Sequence, residues 1–184
     1  SKNNIDILNM LNVKYIIEND PENPIGVTRN PNNFGNAWFI EKIKNVSNSN
    51  EELTILDNID LRSTVVSQDL SEKIYSKNIL NSVKLKKRKA NHLIYEEKSD
   101  SEQFIVFSEA FYKNGWKSTI NSKPAKHYKV NYLLRGMEVP KGSYDIHFKY
   151  KPKIIMTGSI FVVFGSIILL ISLFIYIKKI LKYV

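Results

Sequence analysis

The chain has 184 residues, with 27 Lys plus Arg, 18 Asp plus Glu and no Cys, and a formal net charge of +9. Without cysteine it cannot be a disulfide scaffold, a thiol enzyme or a Cys-ligated zinc protein. Residues 1–153 hold 24 basic and 18 acidic groups, a balance too mild and too scattered for a nucleic-acid binder.

The N-terminal residues predict a short helix followed by a buried strand. Ile5, Leu8 and Leu11 recur at helical spacing after Asn4, a residue type favoured at helix N-caps. The apolar segment VKYII at 13–17 then predicts a buried strand, which ends in the turn-rich sequence NDPENP.

An Asn- and Pro-rich stretch leads into further short elements. The sequence AWFIEKI at 37–43 predicts one apolar strand. A short helix is expected over 51–57, capped by Asn50 or Ser49, and a strand over 63–66.

From residue 82 onward the pattern is β throughout. The run QFIVFSE at 103–109 is of the fully buried type. In the segment 143–150, alternate residues are apolar, as expected of a half-buried strand: Tyr144, Ile146, Phe148 and Tyr150. Six or so short strands with turns every 8 to 12 residues predict a β-sandwich. The predicted fold class is therefore α+β, mostly antiparallel β and sandwich-like, with short helices.

Near the C-terminus, residues 154–177 form a stretch of 24 residues without a charge. At ~1.5 Å per residue, such a helix crosses the ~30 Å hydrocarbon layer of a membrane. Its small residues fall on one stripe that would let another membrane helix approach closely: Gly158, Ser159, Gly165, Ser166 and Ser172. The alternative is that Gly and Ser are simply common in membrane helices.

These patterns divide the chain into five segments. They are an α+β segment (1–66), a polar connection (67–81), a β-sandwich-like segment packed with the first (82–153), the transmembrane helix (154–177) and a basic tail (178–184). Basic residues are equally frequent on both sides of the helix, so the positive-inside rule leaves the orientation open. The chain opens with Ser1 and without a signal-peptide pattern, so we expect that an export signal is missing or that the chain is a fragment.

Five residues are candidates for ligand contact. The aromatic side chains can stack on sugar rings: Trp38, Tyr112, Trp116 and Tyr132. For Trp116 we favour a core position, because it alternates with Ser118 and Ile120. Arg135 can bind a phosphate bidentately or pair with a carboxylate, and the sequence does not separate these alternatives.

No catalytic or metal-binding motif is recognisable. The three histidines stand isolated in the sequence and are read as surface residues, so no metal and no cofactor is expected: His92, His127 and His147. The carboxylates are read as solvated, and Ser108 and Ser118 lack a triad pattern. The basic run at 84–89 suits either an anionic lipid or wall polymer, or an exposed edge strand, and we favour the edge strand.

Three stretches together resemble one family. They are DILNMLNVKYII (6–17), NPNNFGNAWFI (30–40) and the segment 107–152, followed at once by the apolar helix. The strongest matches are NVKYII at 12–17, GNAW at 35–38, Ser108-Glu109, Gly115-Trp116, Asn131 with Arg135, and Val139-Pro140 with Gly142. In these residues the chain resembles, over roughly residues 5 to 175, the C-terminal part of the bacterial YfhO family. The departures at 113–116 and 121–123 affect turns, not strands.

The resemblance implies a function and an orientation. The family consists of polytopic membrane proteins similar to GT-C glycosyltransferases, which use polyprenyl-phosphate sugars to glycosylate cell-envelope polymers. It implies an extracytoplasmic β-domain, a cytoplasmic C-terminus, and a parent protein whose catalytic residues lie outside this chain. The implied partners are membrane lipid, the other transmembrane helices, the carrier-linked sugar and the envelope polymer. The alternatives are a membrane-anchored surface module that binds saccharide or protein without catalysis, and a purely structural domain.

Overall fold

We describe a computed structural model of the chain, covering residues 4–20 and 23–182. Within these residues there are three helices, α1 (Asn4–Met10), α2 (Ser49–Leu56) and α3 (Lys153–Leu181). The strands are β1 (Tyr15–Asp20), β2 (Asn23–Arg29), β3 (Ala37–Ile40), β4 (Lys42–Asn45), β5 (Thr64–Ser67), β6 (Lys73–Ile74), β7 (Ser82–Lys89), β8 (His92–Ser99), β9 (Gln103–Ala110), β10 (Trp116–Ile120), β11 (Lys123–Ala125), β12 (Tyr128–Val130), β13 (Leu134–Val139) and β14 (Gly142–Tyr150).

Two antiparallel sheets form a sandwich. One has five strands in the order β11-β10-β14-β8-β7, and the other has four in the order β12-β13-β9-β3. Alternate residues of the facing strands form a shared core: Leu93, Tyr95, Ile105, Phe107, Met137, Val139, Ile146 and Phe148. This arrangement confirms the predicted fold class, because the protein is mostly antiparallel β with short helices and a C-terminal apolar helix.

The four-stranded sheet is the middle layer of the domain. Its other face packs against a third layer, formed by α2 and the three-stranded sheet β5-β4-β6, through Phe104, Val106, Ile43, Leu56 and Val65 among others. Strand β9 therefore has buried residues on both faces, as its uniformly apolar sequence predicts.

The strand predicted at 13–17 is formed but is not buried. Tyr15 is 61% exposed and Ile17 is 69% exposed. Strand β1 pairs with β2, and within the described residues the two strands form a separate two-stranded sheet. The prediction of burial was wrong because an apolar run is buried only when another layer covers it.

The apolar run at 37–43 is two strands rather than one. The chain changes sheets at Glu41, whose N–H donates to the carbonyl of Ser63 (2.7 Å). Strand β3 pairs with β9, whereas β4 pairs in parallel with β5. Two smaller details also differ from the prediction. Helix α2 is capped by Asn48 rather than by Asn50 or Ser49, and the polar connection at 67–81 contains strand β6.

The basic run at 84–89 lies in β7, at the edge of the five-stranded sheet. This is the edge-strand position that the sequence favours. An edge strand rich in lysine resists pairing with strands of other chains.

Helix α3 is the one helix within the described residues that is long and apolar enough to span a membrane. Its 29 residues extend about 44 Å at ~1.5 Å per residue. The hydroxyls of Ser159 and Ser166 donate to the carbonyls four residues earlier, Ile155 (2.9 Å) and Val162 (2.8 Å). These serines are thus satisfied within the helix, and the small-residue stripe stays a prediction.

Candidate functional site

A cleft of about 570 Å³ lies where the β-domain meets α3. It is formed by the loop between β9 and β10 and by the segment that joins β14 to α3. Ten residues line it: Tyr112, Lys113, Asn114, Gly115, Trp116, Lys117, Lys151, Pro152, Lys153 and Ile154. We call it the junction cleft.

A backbone hydrogen bond and the ring of Tyr150 hold the loop between β9 and β10 in place. The N–H of Lys151 donates to the carbonyl of Gly115 (2.7 Å), which ties the end of β14 to the loop. A Cβ at Gly115 would clash with the ring of Tyr150 and would stand 2.7 Å from Cδ1 of Tyr112. Only glycine fits here, so the rings of Tyr150 and Tyr112 pack directly on the backbone.

Two of the candidate aromatic residues line the junction cleft. Tyr112 is 51% exposed, and its ring centroid is 6.3 Å from that of Tyr150. Trp116 is half-buried and lies 5.4 Å from the same ring. One face of Trp116 belongs to the sandwich core, as its alternation with Ser118 and Ile120 predicts.

Arg135 lies directly behind Trp116 and is only 2% exposed. Its guanidinium carbon is 4.3 Å from the centroid of the Trp116 ring, and its Nε donates to the carbonyl of Ala110 (2.9 Å). Its Nη2 is 3.9 Å from Oε2 of Glu109, so the structure favours the carboxylate pairing over the phosphate contact. Burial lowers the pKa of Arg135, and the charge of Glu109 opposes that shift.

The other two candidates lie outside the junction cleft. Trp38 is 6% exposed and packs edge-on against Phe34, with ring centroids 5.2 Å apart. Tyr132 is 43% exposed, and its N–H donates to Oε1 of Glu52 (2.7 Å) beside α2. The five predicted residues therefore do not form one surface, and ligand contact by any of them stays a prediction.

The charged residues that line the junction cleft are all basic. Four lysines line it: Lys113, Lys117, Lys151 and Lys153. None of them forms an ion pair with another residue that the structure describes. No Asp or Glu that the structure describes lines the cleft, so its field favours an anionic ligand.

The histidines are not isolated in space. Nε2 of His92 and Nδ1 of His147 are 3.0 Å apart on neighbouring strands, although 55 positions separate them in sequence. Nδ1 of His127 is 2.7 Å from Oγ of Ser118, which also donates to the carbonyl of Ala125 (2.6 Å). Sequence reasoning missed both pairs because strand register decides the first, and the connection between β11 and β12 decides the second. The one available signal was the alternation that places His147 on the polar face of β14.

The Ser118–His127 pair lies in a packed part of the sandwich, beside aromatic side chains. Ser118 is 6% exposed, and the ring of His127 lies 5.5 Å from that of Phe148. Burial, followed by the charge of Arg135, lowers the pKa of His127 to about 4. The ring is therefore neutral near pH 7 and is held between aromatic side chains.

Comparison with known proteins gives one family. The family model described as bacterial membrane protein YfhO matches residues 45–162, which is more than half of the chain. The matched range contains most of the sandwich, the junction cleft and the start of α3. The first two resembling stretches, at 6–17 and 30–40, lie outside it. Neither the comparison with curated proteins nor the comparison with solved structures gave a match.

Proposed function

The chain belongs to the YfhO family of bacterial membrane proteins, and on that premise we propose that it is the extracytoplasmic accessory domain and last membrane helix of a GT-C-like glycosyltransferase. In this proposal, the parent protein transfers a sugar from a polyprenyl-phosphate carrier to a cell-envelope polymer. The β-domain covers the active site and helps to hold the carrier-linked sugar, and the C-terminus is cytoplasmic.

The observation that supports this role is the composition of the junction cleft. Exposed aromatic surface on Tyr112 and Trp116 suits the apolar face of a sugar ring. The lysine ammonium groups suit the phosphate of the carrier. Because the cleft opens at the first turn of α3, a ligand bound there can leave its polyprenyl chain in the membrane beside the helix.

The same composition supports a division of labour between the cleft and the rest of the parent. Sugar transfer needs an acidic or basic group at the anomeric carbon. Among residues 4–20 and 23–182, no carboxylate lines the junction cleft. We therefore propose that the cleft binds and orients the donor, and that the catalytic carboxylate belongs to another part of the parent.

In the same proposal, α3 packs against the remaining transmembrane helices of the parent. Its small-residue stripe would face them, because Gly and Ser allow close approach of helix backbones in lipid. An added Cβ at Gly158 or Gly165 meets no atom within 4 Å, so this side of α3 is open to a neighbouring helix.

The test is sugar transfer by the full-length parent carrying Tyr112→Ala. Loss of one stacked ring costs about 1 kcal/mol, so we expect the rate of envelope glycosylation to fall about five- to tenfold. Tyr132→Ala is the matched control, because Tyr132 is exposed to a similar degree but lies outside the cleft. Glycosylated polymer is quantified from cells in which immunoblots show equal protein levels.

Two results would contradict this proposal. One is an unchanged rate in Tyr112→Ala together with a reduced rate in Tyr132→Ala. The other is sugar transfer by the isolated chain without the rest of the parent, which would place the catalytic group within these 184 residues.

A further inference from the structure

Four basic residues form one row across the outer face of the five-stranded sheet. The strand register pairs Lys89 with His92, His92 with Lys149, and Lys149 with Lys117. The row thus crosses β7, β8, β14 and β10, perpendicular to the strands. At ~4.8 Å between strands it is about 14 Å long. We call it the basic row.

The basic row is unfavourable for the isolated domain. Lys149 and Lys117 are directly opposite each other, and like charges in this position on neighbouring strands destabilise a sheet. Within the described residues, none of the three lysines of the row forms an ion pair. The acids of this face lie toward the other end of the strands, where Asp145 pairs with Lys86 (3.2 Å). An anionic ligand would remove the repulsion within the row.

A second cleft adjoins the row. It measures about 280 Å³, and the described residues that line it include no carboxylate: Lys117, Thr119, Ser122, His147, Lys149 and Lys151. His147 also contacts His92 of the row, with ring centroids 5.2 Å apart. Lysine ammonium groups together with hydroxyl donors are the groups that bind a phosphate.

The surroundings of the histidine pair favour an anion over a metal cation. Burial, and next the charge of Lys149, lower the pKa of His92. The same lysine charge repels a metal ion. Within the described residues there is also no group of three potential metal ligands.

The basic row lies close to the start of α3, where a membrane-spanning helix would enter the lipid. Lys149 is four residues before Lys153, the first residue of α3, so at ~3.3 Å per residue the two are at most about 13 Å apart along the chain. This distance is comparable to the depth of the lipid headgroup layer plus one Debye length of about 8 Å. No Asp or Glu occurs in 73–95, 110–137 or 146–184, and Glu109, which does lie at this end of the domain, is paired with Arg88 (2.5 Å).

From these observations we infer that the basic row and its adjoining cleft bind the phosphate headgroups of anionic lipids in the membrane leaflet that faces the β-domain. This contact would hold the five-stranded sheet against the membrane surface. Lys117 and Lys151 line both clefts, whereas Lys89 and Lys149 lie outside the junction cleft, so variants of Lys89 and Lys149 test the inference separately from sugar binding.

The test is lipid binding by the full chain in neutral detergent micelles, followed by native mass spectrometry. Phosphatidylglycerol is the probe and phosphatidylcholine is the neutral comparison. We expect the wild-type chain to bind phosphatidylglycerol at least tenfold more tightly. At the usual contribution of a lysine near an anionic surface, Lys89→Gln with Lys149→Gln should weaken phosphatidylglycerol binding about 30-fold.

Two further variants control for charge and fold. Lys98→Gln with Lys141→Gln removes the same charge from exposed positions at the other end of β8 and β14 and should change binding less than twofold. Lys89→Arg with Lys149→Arg keeps the charge and should keep the binding. Circular dichroism of each variant verifies that the fold is intact.

Three outcomes would overturn the inference. Equal binding of the two lipids would show that charge plays no part. Equal losses in the two Lys→Gln pairs would show that net charge, rather than the row, is responsible. Displacement of phosphatidylglycerol by an equimolar concentration of inorganic phosphate would show that the site recognises free phosphate rather than lipid.

Discussion

His127 shows how the sandwich keeps a titratable ring neutral. It lies beside Phe148 and Phe111 and within hydrogen-bond distance of Ser118. A protonated ring would lose hydration there and would also be repelled by Arg135. The folded protein therefore opposes protonation of this residue.

Because the folded protein opposes protonation of His127, we predict that its stability depends on pH. The pKa of His127 is lowered from 6.5 to about 4, so in this range the unfolded chain binds more protons than the native chain. The stability contributed by neutral His127 is complete above pH 6.5 and is lost as the pH falls toward 4. We expect the urea midpoint of the chain in micelles to decrease from about pH 7 to pH 5, and to decrease less in His127→Gln. Parallel decreases in the two proteins would refute the assignment to His127.

At the scale of elements, β9 holds the three layers together. Phe107 is fully buried on its sandwich side, with ring centroids 4.7 Å from Tyr95 and 4.9 Å from Phe148. On the other side, Val106 and Phe104 contact the third layer. A defect in β9 thus affects both cores.

We predict that Phe107→Ala lowers the free energy of unfolding by about 3–5 kcal/mol, because the substitution leaves a cavity between two aromatic rings. Val27→Ala is the control, since Val27 is 61% exposed in the β1–β2 hairpin and should cost less than about 0.5 kcal/mol. Urea unfolding followed by circular dichroism measures both. A similar loss at the two positions would mean that the hairpin is part of the core.

The elements that sequence predicts well are those whose pattern is local. Alternation identifies β14, and a uniformly apolar run identifies β9, because burial on one or two faces leaves its own period in the sequence. The change of sheets at Glu41, the exposure of β1 and the contact of His92 with His147 depend on partners far away in the chain. No local pattern records such partners. For the same reason, the sequence does not reveal that Tyr112 is exposed and Trp38 is buried.

At the scale of the whole molecule, the β-domain and α3 share no hydrophobic core within the described residues. The apolar window of α3 is entirely exposed, and neither hydrophobic core includes a residue of this helix. The helix therefore contributes little to the stability of the domain.

We predict that a chain ending at Pro152 keeps its fold. Its near-ultraviolet circular dichroism should match that of the full chain in micelles, and its melting temperature should lie within a few degrees, because both cores remain intact. Loss of cooperative unfolding on truncation would show that α3 supports the sandwich.

The attachment of the domain to α3 has a mechanical consequence. Lys151 and Pro152 are the residues between β14 and α3, Lys151 is hydrogen-bonded to Gly115, and the proline ring fixes its own φ. A connection this short and constrained transmits motion between α3 and the β-domain and does not act as a flexible linker. Any tilt or rotation of α3 within the bilayer would therefore turn the loop bearing Tyr112 with it, so that movement in the lipid changes the height and direction of the junction cleft above the membrane while the cleft keeps its shape.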